Sequence, residues 1–474
     1  TFFSVTMWGS VLESFHWQNL GYLFYFADPW KLQSYTTVEE IPQYIELAKS
    51  WMLLLISLEM LVNTESYSFP DTITSVCAGL SSMQMKIQGL TITAFLYPYV
   101  WQYLHIVELS PGSLSSWIIC FLFQDLVYYL GHRGIHEWGF LWGFHAPHHS
   151  SEHYNLSTAI RQGSIQEIAM MFFDFMQAVV VPPTMYIPHK ALNILYQFWI
   201  HTEQMPYLGP LEYVLNTPSS HRVHHGRNPY CIDRNYGATL IIWDRIFGTY
   251  AKERPEEPVV YGLVTPSDTF NQLRLQTAEF KYYLFTKPFL KNEDGTDMFP
   301  GWALKIKTMF APPGAYPGTE TKRFFLWHCM KDNEEGIPAI NKADVIPFYN
   351  NVGAFAKLYH ITQFVAVLFI NFTTVLNPEY TPSSSYDALI VYIIVAWTIQ
   401  SFGYYFDHEY PFSIKFDIAR LVFIAAVCTL FPNTVHANLM QPYALISLGV
   451  LAVAFFTRNV PGQREAAKLR SHQE

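Results

Sequence analysis

The sequence predicts an all-α protein, a polytopic integral membrane helical bundle with a cytosolic helical cap. Three observations point there. Only 14% of the 474 residues are charged, while 50% are apolar and 17% aromatic; a soluble domain carries about 25% charged residues. Apolar runs suited to a bilayer recur between residues 51 and 457. Histidines gather at the polar ends of those runs: five of the chain's 18 fall within residues 132–149, where uniform scatter would put about 0.7.

Residues 1–43 are aromatic-rich but broken by Glu13, His16 and Asp28, which suits an N-terminal interfacial segment. A core region, 44–261, begins with a first spanning helix around the run Trp51 to Val62. Residues 76–106, interrupted by Gln84, Lys86, Gln88 and Gly89, either span or lie re-entrant. The run Leu114 to Leu130 is apolar except for Gln124 and Asp125, and it leads straight into HRGIHEWGFLWGFHAPHH. A hydrophobic hairpin from Ile165 to Phe198 turns at Pro182-Pro183. Residues 206–352 are polar and Pro/Gly-punctuated, a membrane-peripheral layer that ends in a cytosolic insertion, 262–352. Four apolar runs, 358–376, 386–405, 417–431 and 441–457, make a C-terminal transmembrane region, 353–460, followed by a cytosolic tail, 461–474.

Basic residues set the orientation. The connections NPEYTPSSSYD and PNTVHANLMQP contain no Lys or Arg, whereas Lys415 and Arg420 flank the loop between the second and third runs, and the tail is basic. This bias puts the tail, the 206–352 layer and the histidine clusters on the cytosolic side. No leader with a cleavage site is evident, so insertion is expected to rely on the spans themselves. A net charge of −9 gives no reason to expect nucleic acid as a partner. The five cysteines (Cys77, Cys120, Cys231, Cys329, Cys428) are scattered without a CxxC pair, which argues against disulfides or a thiolate metal site.

His132 and His136 leave one helical face a turn apart. His145, His148 and His149 repeat that geometry at i, i+3 and i+4, and His221, His224 and His225 repeat it again. Imidazole suits iron, zinc and copper. Eight histidines are too many for one tetrahedral ion, so the pattern predicts two metals. Glu137, directly after His136, is a candidate catalytic carboxylate beside the metal or the incoming oxygen. Asp125, Glu152, Asp233 and Asp244 are candidates to accept the second N–H of a ligating imidazole; the alternative for each is a salt bridge to Arg133, Arg222 or Arg234. His153 fits a ligand or a surface residue equally and stays outside the set. The isolated His16, His105, His189, His328, His360, His408, His436 and His472 read as ordinary polar residues.

HRGIHEWGFLWGFHAPHHSSEHYNLSTAIRQ and NTPSSHRVHHGRNPYCIDRNYGATLIIWDRIFGTY resemble the histidine boxes of the fatty acid hydroxylase/sterol desaturase superfamily. Within it, SSExYNLSTAxRQ, QFWIHTE and LGPLEYVLNTPS are similar to the tetrahydrobiopterin-dependent enzymes that cleave ether lipids. The resemblance spans roughly residues 28–265. It implies a ninth imidazole, His201 in a QxxxH pattern, with Gln197 approaching one metal through water. It also implies a diiron centre held by histidine alone, O2 as oxidant, and electrons from tetrahydrobiopterin with a system that regenerates it.

The implied reaction is hydroxylation of the ether-linked carbon of a 1-O-alkylglycerol or lyso-alkyl lipid in the endoplasmic reticulum membrane. Zinc is an expected substitute for iron in a purified sample. Two alternatives stand beside this reading. One is a sterol or sphingolipid hydroxylase or desaturase using cytochrome b5 electrons. The other is a metal transporter or metal-binding membrane protein, although a transporter would place its ligands near the bilayer midplane.

Overall fold

A computed structural model describes residues 15–28, 35–85, 92–110, 112–317, 337–348, 352–376, 385–432 and 437–456. Among these the fold is all-α; pairing outside helices is limited to isolated bridges such as Leu215–Leu240 and Gly226–Tyr261. After a helical turn at Trp17–Gly21, the helices are α1 (Tyr44–Val62), α2 (Phe69–Met85), α3 (Ile92–Leu104), α4 (Leu114–Glu137) and α5 (Gly139–His149). There follow α6 (Gln166–Gln177), α7 (Pro183–Trp199), α8 (Pro218–His224), α9 (Ile242–Phe247), α10 (Gln272–Lys281) and α11 (Trp302–Phe310). The last four are α12 (Ala354–Leu376), α13 (Ser385–Phe406), α14 (Tyr410–Leu430) and α15 (Ala437–Phe456).

The chain divides into two compact units that interleave in sequence: 1–68, 91–266 and 277–347 form the first, and 69–90, 267–276 and 348–474 the second. In the first, α4 packs against α5, α6 and α7, and α1 packs on α7. Gly131 and Gly134 on α4 permit the closest approach, since a Cβ there would lie 2.6 Å from Met170 Cε and 2.8 Å from Phe173 Cζ of α6. Their missing side chains let α6 seal the last turns of α4, where His132 and His136 lie. Trp138, in extended backbone, ends α4 and starts α5. That break turns α5 back so that its three histidines face the two of α4.

Among the described residues three helices are long and apolar enough to cross a membrane: Leu114–Glu137, Ala354–Asn371 and Tyr386–Phe406. The chain is thus an integral membrane protein by the length and composition of these helices. The other apolar runs fall in the following helices. The run Trp51 to Val62 belongs to α1, whose buried Glu59 accepts from Leu156 N at 2.8 Å and Tyr67 Oη at 2.6 Å and also binds Thr202. The hairpin from Ile165 to Phe198 is two helices of 12 and 17 residues. In the C-terminal region α14 is a 21-residue helix that carries Lys415, Asp417 and Arg420, and α15 is an apolar helix of 20 residues. Of the interfacial segment expected at 1–43, residues 15–28 and 35–43 are described, and the rest lies outside the described residues.

The second unit packs α2 and α12–α15 around Ile399, Phe402, Phe406, Leu421, Ile424 and Ala444. Buried inside it is a polar cluster. Arg420, fully buried, binds Asp417 at 2.7 Å, Gln363 Oε1 at 2.7 Å and Thr398 Oγ1 at 2.9 Å. Tyr359 bonds Asp417, and Gln363 bonds Ser447 at 3.1 Å.

Candidate metal centre

The three histidine clusters and His201 converge in the first unit. One ring nitrogen each from His132, His136, His145, His149 and His224 lies within 4.8 Å of the others, and so does one each from His148, His201, His221 and His225. None of the nine is more than 5% exposed. α4 and α5 supply five of them. α8 supplies His221 and His224, with His225 as its C-cap, and starts sharply because Thr217 is extended and Pro218 takes the first helical position. His201 follows the end of α7.

Five of the rings are held from behind by oxygen. The Nδ1 of His132 bonds the Tyr236 carbonyl at 2.8 Å, that of His148 the Arg161 carbonyl at 2.7 Å, and that of His201 the Gln197 carbonyl at 2.6 Å. His224 Nδ1 bonds the Arg234 carbonyl at 2.9 Å, and His145 Nδ1 the Gln166 side-chain oxygen at 3.1 Å. A carbonyl oxygen only accepts, so each Nδ1 carries the proton and each Nε2 presents a lone pair. Those lone pairs point at one another: His132 and His145 Nε2 are 3.1 Å apart, and His148 and His201 Nε2 are 3.3 Å apart.

No hydrogen bond can form between two acceptors. A proton shared by charging one ring is disfavoured as well, because burial pushes His148 down to about 4 and lowers His145, His149, His201, His221, His224 and His225 well below the usual histidine range. Neutral rings with converging lone pairs fit a cation other than a proton. The spacing fits too, since nitrogens about 2.1 Å from a shared ion stand about 3.0 Å apart at octahedral angles and about 3.4 Å apart at tetrahedral ones. The further Nε2 contacts, His145–His149 at 3.2 Å, His201–His225 and His201–His221 both at 3.1 Å, fall in that range. His136 Nε2 and His224 Nε2 are buried with no hydrogen-bond partner among the described residues, as ligands awaiting an ion would be.

The acids expected around these rings are placed differently. Asp125 is buried but accepts from Thr239 N, Leu240 N, Trp243 Nε1 and Asn193 Nδ2 at 3.0–3.1 Å. Asp244 accepts from Tyr236 N and Gly237 N, both at 2.8 Å, and burial raises its carboxyl to about 6. Both therefore shape the turn at 236–240, whose Tyr236 carbonyl holds His132, and touch no imidazole themselves. Glu152 pairs with Arg227 at 3.4 Å. Only Asp233 comes near a ring, 3.8 Å from His136 Nδ1.

The side chain of Gln197, expected to approach a metal through water, bonds Tyr128 Oη at 2.6 Å and Asn193 Oδ1 at 2.9 Å; it is the Gln197 carbonyl that serves the site. Glu137 is buried and takes Arg133 Nε at 2.8 Å. Sequence reasoning missed Gln166, Tyr236, Arg161 and Arg234. Three of the four act through backbone oxygens, which no motif displays.

Aromatic rings wall the centre. Trp142 lies 4.9 Å from His136, Tyr236 5.3 Å from it, and Tyr154 5.6 Å from His201, ring centre to ring centre. Tyr154 stacks in turn on Tyr261 at 4.8 Å. Tyr261 and Arg222 line a cavity of about 1290 Å³ together with Glu203, Tyr207, Lys252 and Glu253. The isolated histidines within the described residues lie outside the centre; His105 stacks on Trp101 at 4.5 Å and His408 bonds Tyr410 Oη at 2.7 Å. His328, His436 and His472 fall outside the described residues.

Comparison with known proteins agrees with this geometry. The fatty acid hydroxylase family model matches residues 117–249, which contain all nine histidines. The chain is 37% identical over 454 residues to an alkylglycerol monooxygenase of Caenorhabditis elegans, covering 93% of this chain and 88% of that one. It is 36% identical over 414 residues to the alkylglycerol monooxygenase of Homo sapiens, covering 86% and 87%. A Delta(7)-sterol 5(6)-desaturase of Aspergillus fumigatus is 26% identical over 31% of this chain and 43% of its own. No solved structure matches the chain. With likeness over nearly its full length and the histidine centre inside the matched region, the chain belongs to the alkylglycerol monooxygenase family of oxygen-dependent enzymes.

Proposed function

We propose that this protein is a tetrahydrobiopterin-dependent diiron monooxygenase that hydroxylates the ether-linked alkyl carbon of 1-O-alkylglycerols. The observation that carries the metal assignment is the set of buried, neutral imidazoles whose Nε2 lone pairs face each other in two groups. His132, His136, His145, His149 and His224 would hold one iron, and His148, His201, His221 and His225 the other. Bound iron would supply the reductive activation of O2, with tetrahydrobiopterin giving the two electrons and a regenerating system restoring it. One oxygen atom enters the C–H bond beside the ether oxygen and the other leaves as water. The resulting hemiacetal breaks its C–O bond to a fatty aldehyde and a glycerol derivative.

The chain's own part is to orient and to exclude water. Oxygens behind five of the rings hold their tautomers, so that much of the donor set is organised for the ions. The walls of Trp142, Tyr154 and Tyr236 keep bulk water from the reacting carbon. The cavity beside Tyr261, with Glu203, Arg222, Lys252 and Glu253 in its lining, suits the glycerol head, which leaves the alkyl chain to the apolar helices. Glu137 is assigned the catalytic carboxylate beside His136, orienting a proton near the incoming oxygen. We assign the centre and the C-terminus to the cytosolic face of the endoplasmic reticulum, from the basic residues near both.

Aldehyde release from a 1-O-alkylglycerol by membranes holding the protein, with and without tetrahydrobiopterin, tests the proposal. Pterin-dependent aldehyde is expected. Bound iron without aldehyde would favour a sterol or sphingolipid substrate and cytochrome b5 electrons; absence of both iron and aldehyde would favour metal transport.

A further inference from the structure

The insertion after residue 262 contains a helix built inside out. α11 turns Lys305 and Thr308 inward, 7% and 5% exposed, and Trp302, Ile306 and Phe310 outward, 71%, 52% and 56% exposed. Spacing of four puts the three apolar residues on one face. The inward polar groups are fully engaged: Lys305 Nζ binds Asp297 at 3.0 Å and the Pro288 carbonyl at 3.1 Å, and Thr308 Oγ1 donates to the Lys305 carbonyl at 2.8 Å. Bonds therefore set this orientation. Phe285, 71% exposed, and Phe289, whose ring lies 6.2 Å from that of Trp302, extend the apolar patch. In water such a helix would turn the other way.

Its position explains the reversal. Nine residues make a helix about 14 Å long, too short to cross a hydrocarbon layer of about 30 Å. The Ala311 carbonyl, just past α11, accepts from Gly139 N at 3.0 Å, and the Phe310 and Phe140 rings are 6.3 Å apart. Gly139 begins two residues after Glu137, the last residue of the α4 span. α11 is thus fixed at the depth where a crossing helix leaves the bilayer. Lys307, on α11, and Lys281, next to the Phe280 that packs on Phe140, are both exposed.

We propose that α11, with Phe285 and Phe289 beside it, forms a monotopic membrane-docking element. Phe285, Trp302, Ile306 and Phe310 lie in the headgroup–acyl boundary of the leaflet where α4 ends, and Lys281 and Lys307 face anionic headgroups. Through the Gly139–Ala311 bond this element holds the start of α5, and with it His145, His148 and His149, against the lipid surface. The inference needs the α4 span only, and stands whatever metal or substrate the centre takes.

The test uses the full chain with Cys329→Ser, reconstituted in phosphatidylcholine vesicles containing phosphatidylserine. Nitroxides are placed at Trp302→Cys, Ile306→Cys and, as a water-exposed reference, Asp294→Cys, and collisions with O2 are compared with collisions with a water-soluble nickel chelate. Positions 302 and 306 are expected to favour O2 several-fold over position 294. Equal access of the chelate to all three would overturn the proposal, and reading two positions guards against one label disturbing the fold. Adding Lys281→Glu and Lys307→Glu should weaken the O2 preference in the anionic vesicles; no change would remove the headgroup contact from the proposal.

Discussion

Two regions bury polar side chains densely, and they do so in opposite ways. In the second unit Arg420, Asp417, Gln363, Thr398 and Tyr359 form a network whose bonds each join a donor to an acceptor. In the histidine centre acceptor faces acceptor: His148 Nε2 lies 3.3 Å from His201 Nε2 with both protons held on Nδ1. The first arrangement is complete in itself, and the second requires a cation. His360 sharpens the contrast. It is buried, 4.2 Å from the Tyr405 ring, and its two ring nitrogens have no hydrogen-bond partner among the described residues, yet no second imidazole faces it. Burial of a histidine does not make a metal site; convergence of lone pairs does.

The largest effect separating the regions should come from His201→Ala. It removes the imidazole on which His148, His221 and His225 converge, so aldehyde release should vanish and bound metal should fall by about half or more, while the protein still inserts. Arg420→Met should do the reverse. Leaving Asp417 buried without its partner is expected to cost about 3–5 kcal/mol of stability, read as a lower thermal midpoint, with the metal content of the surviving folded protein unchanged. Metal loss in Arg420→Met comparable to that in His201→Ala would erase the contrast.

Gln166→Leu should act more gently than either. Without an acceptor behind His145 Nδ1, metal affinity is expected to drop about 10–100-fold, measured by competition with a chelator. The smallest change expected in metal content belongs to Glu137→Gln. It keeps the side-chain shape and Arg133 as neighbour, so turnover should fall while bound metal stays at the unaltered level; undiminished turnover would reduce Glu137 to a structural ion pair.

The histidines were legible because their spacing is itself a geometry. Residues at i, i+3 and i+4 share a helical face wherever the helix goes, and eight in three clusters left few uses besides metal. His201, alone in its stretch, carried no such signal and was reached through resemblance to a family. Asp125, Asp244 and Glu152 find other partners than imidazole for a physical reason. A buried acid satisfies itself on the nearest backbone N–H groups, as Asp125 does at Thr239 and Leu240, and the oxygens behind the imidazoles are carbonyls that any residue can provide. Hydropathy does not separate a helix facing lipid from one packed in protein, and α1 and α6 do both: Leu58 and Phe172 are exposed while Ile56 and Phe173 are buried. Nor does it mark the helix ends, and α6 ends after 12 residues.

Metal analysis of the purified full chain, beside the His148→Ala and His201→Ala forms, tests the central claim most directly. Two ions per chain are expected, one for each imidazole group, with an absorption edge showing a first shell of nitrogen at about 2.1 Å and loss of metal in both variants. A chain that is folded with no bound metal, or one whose metal content is indifferent to both substitutions, would contradict the account.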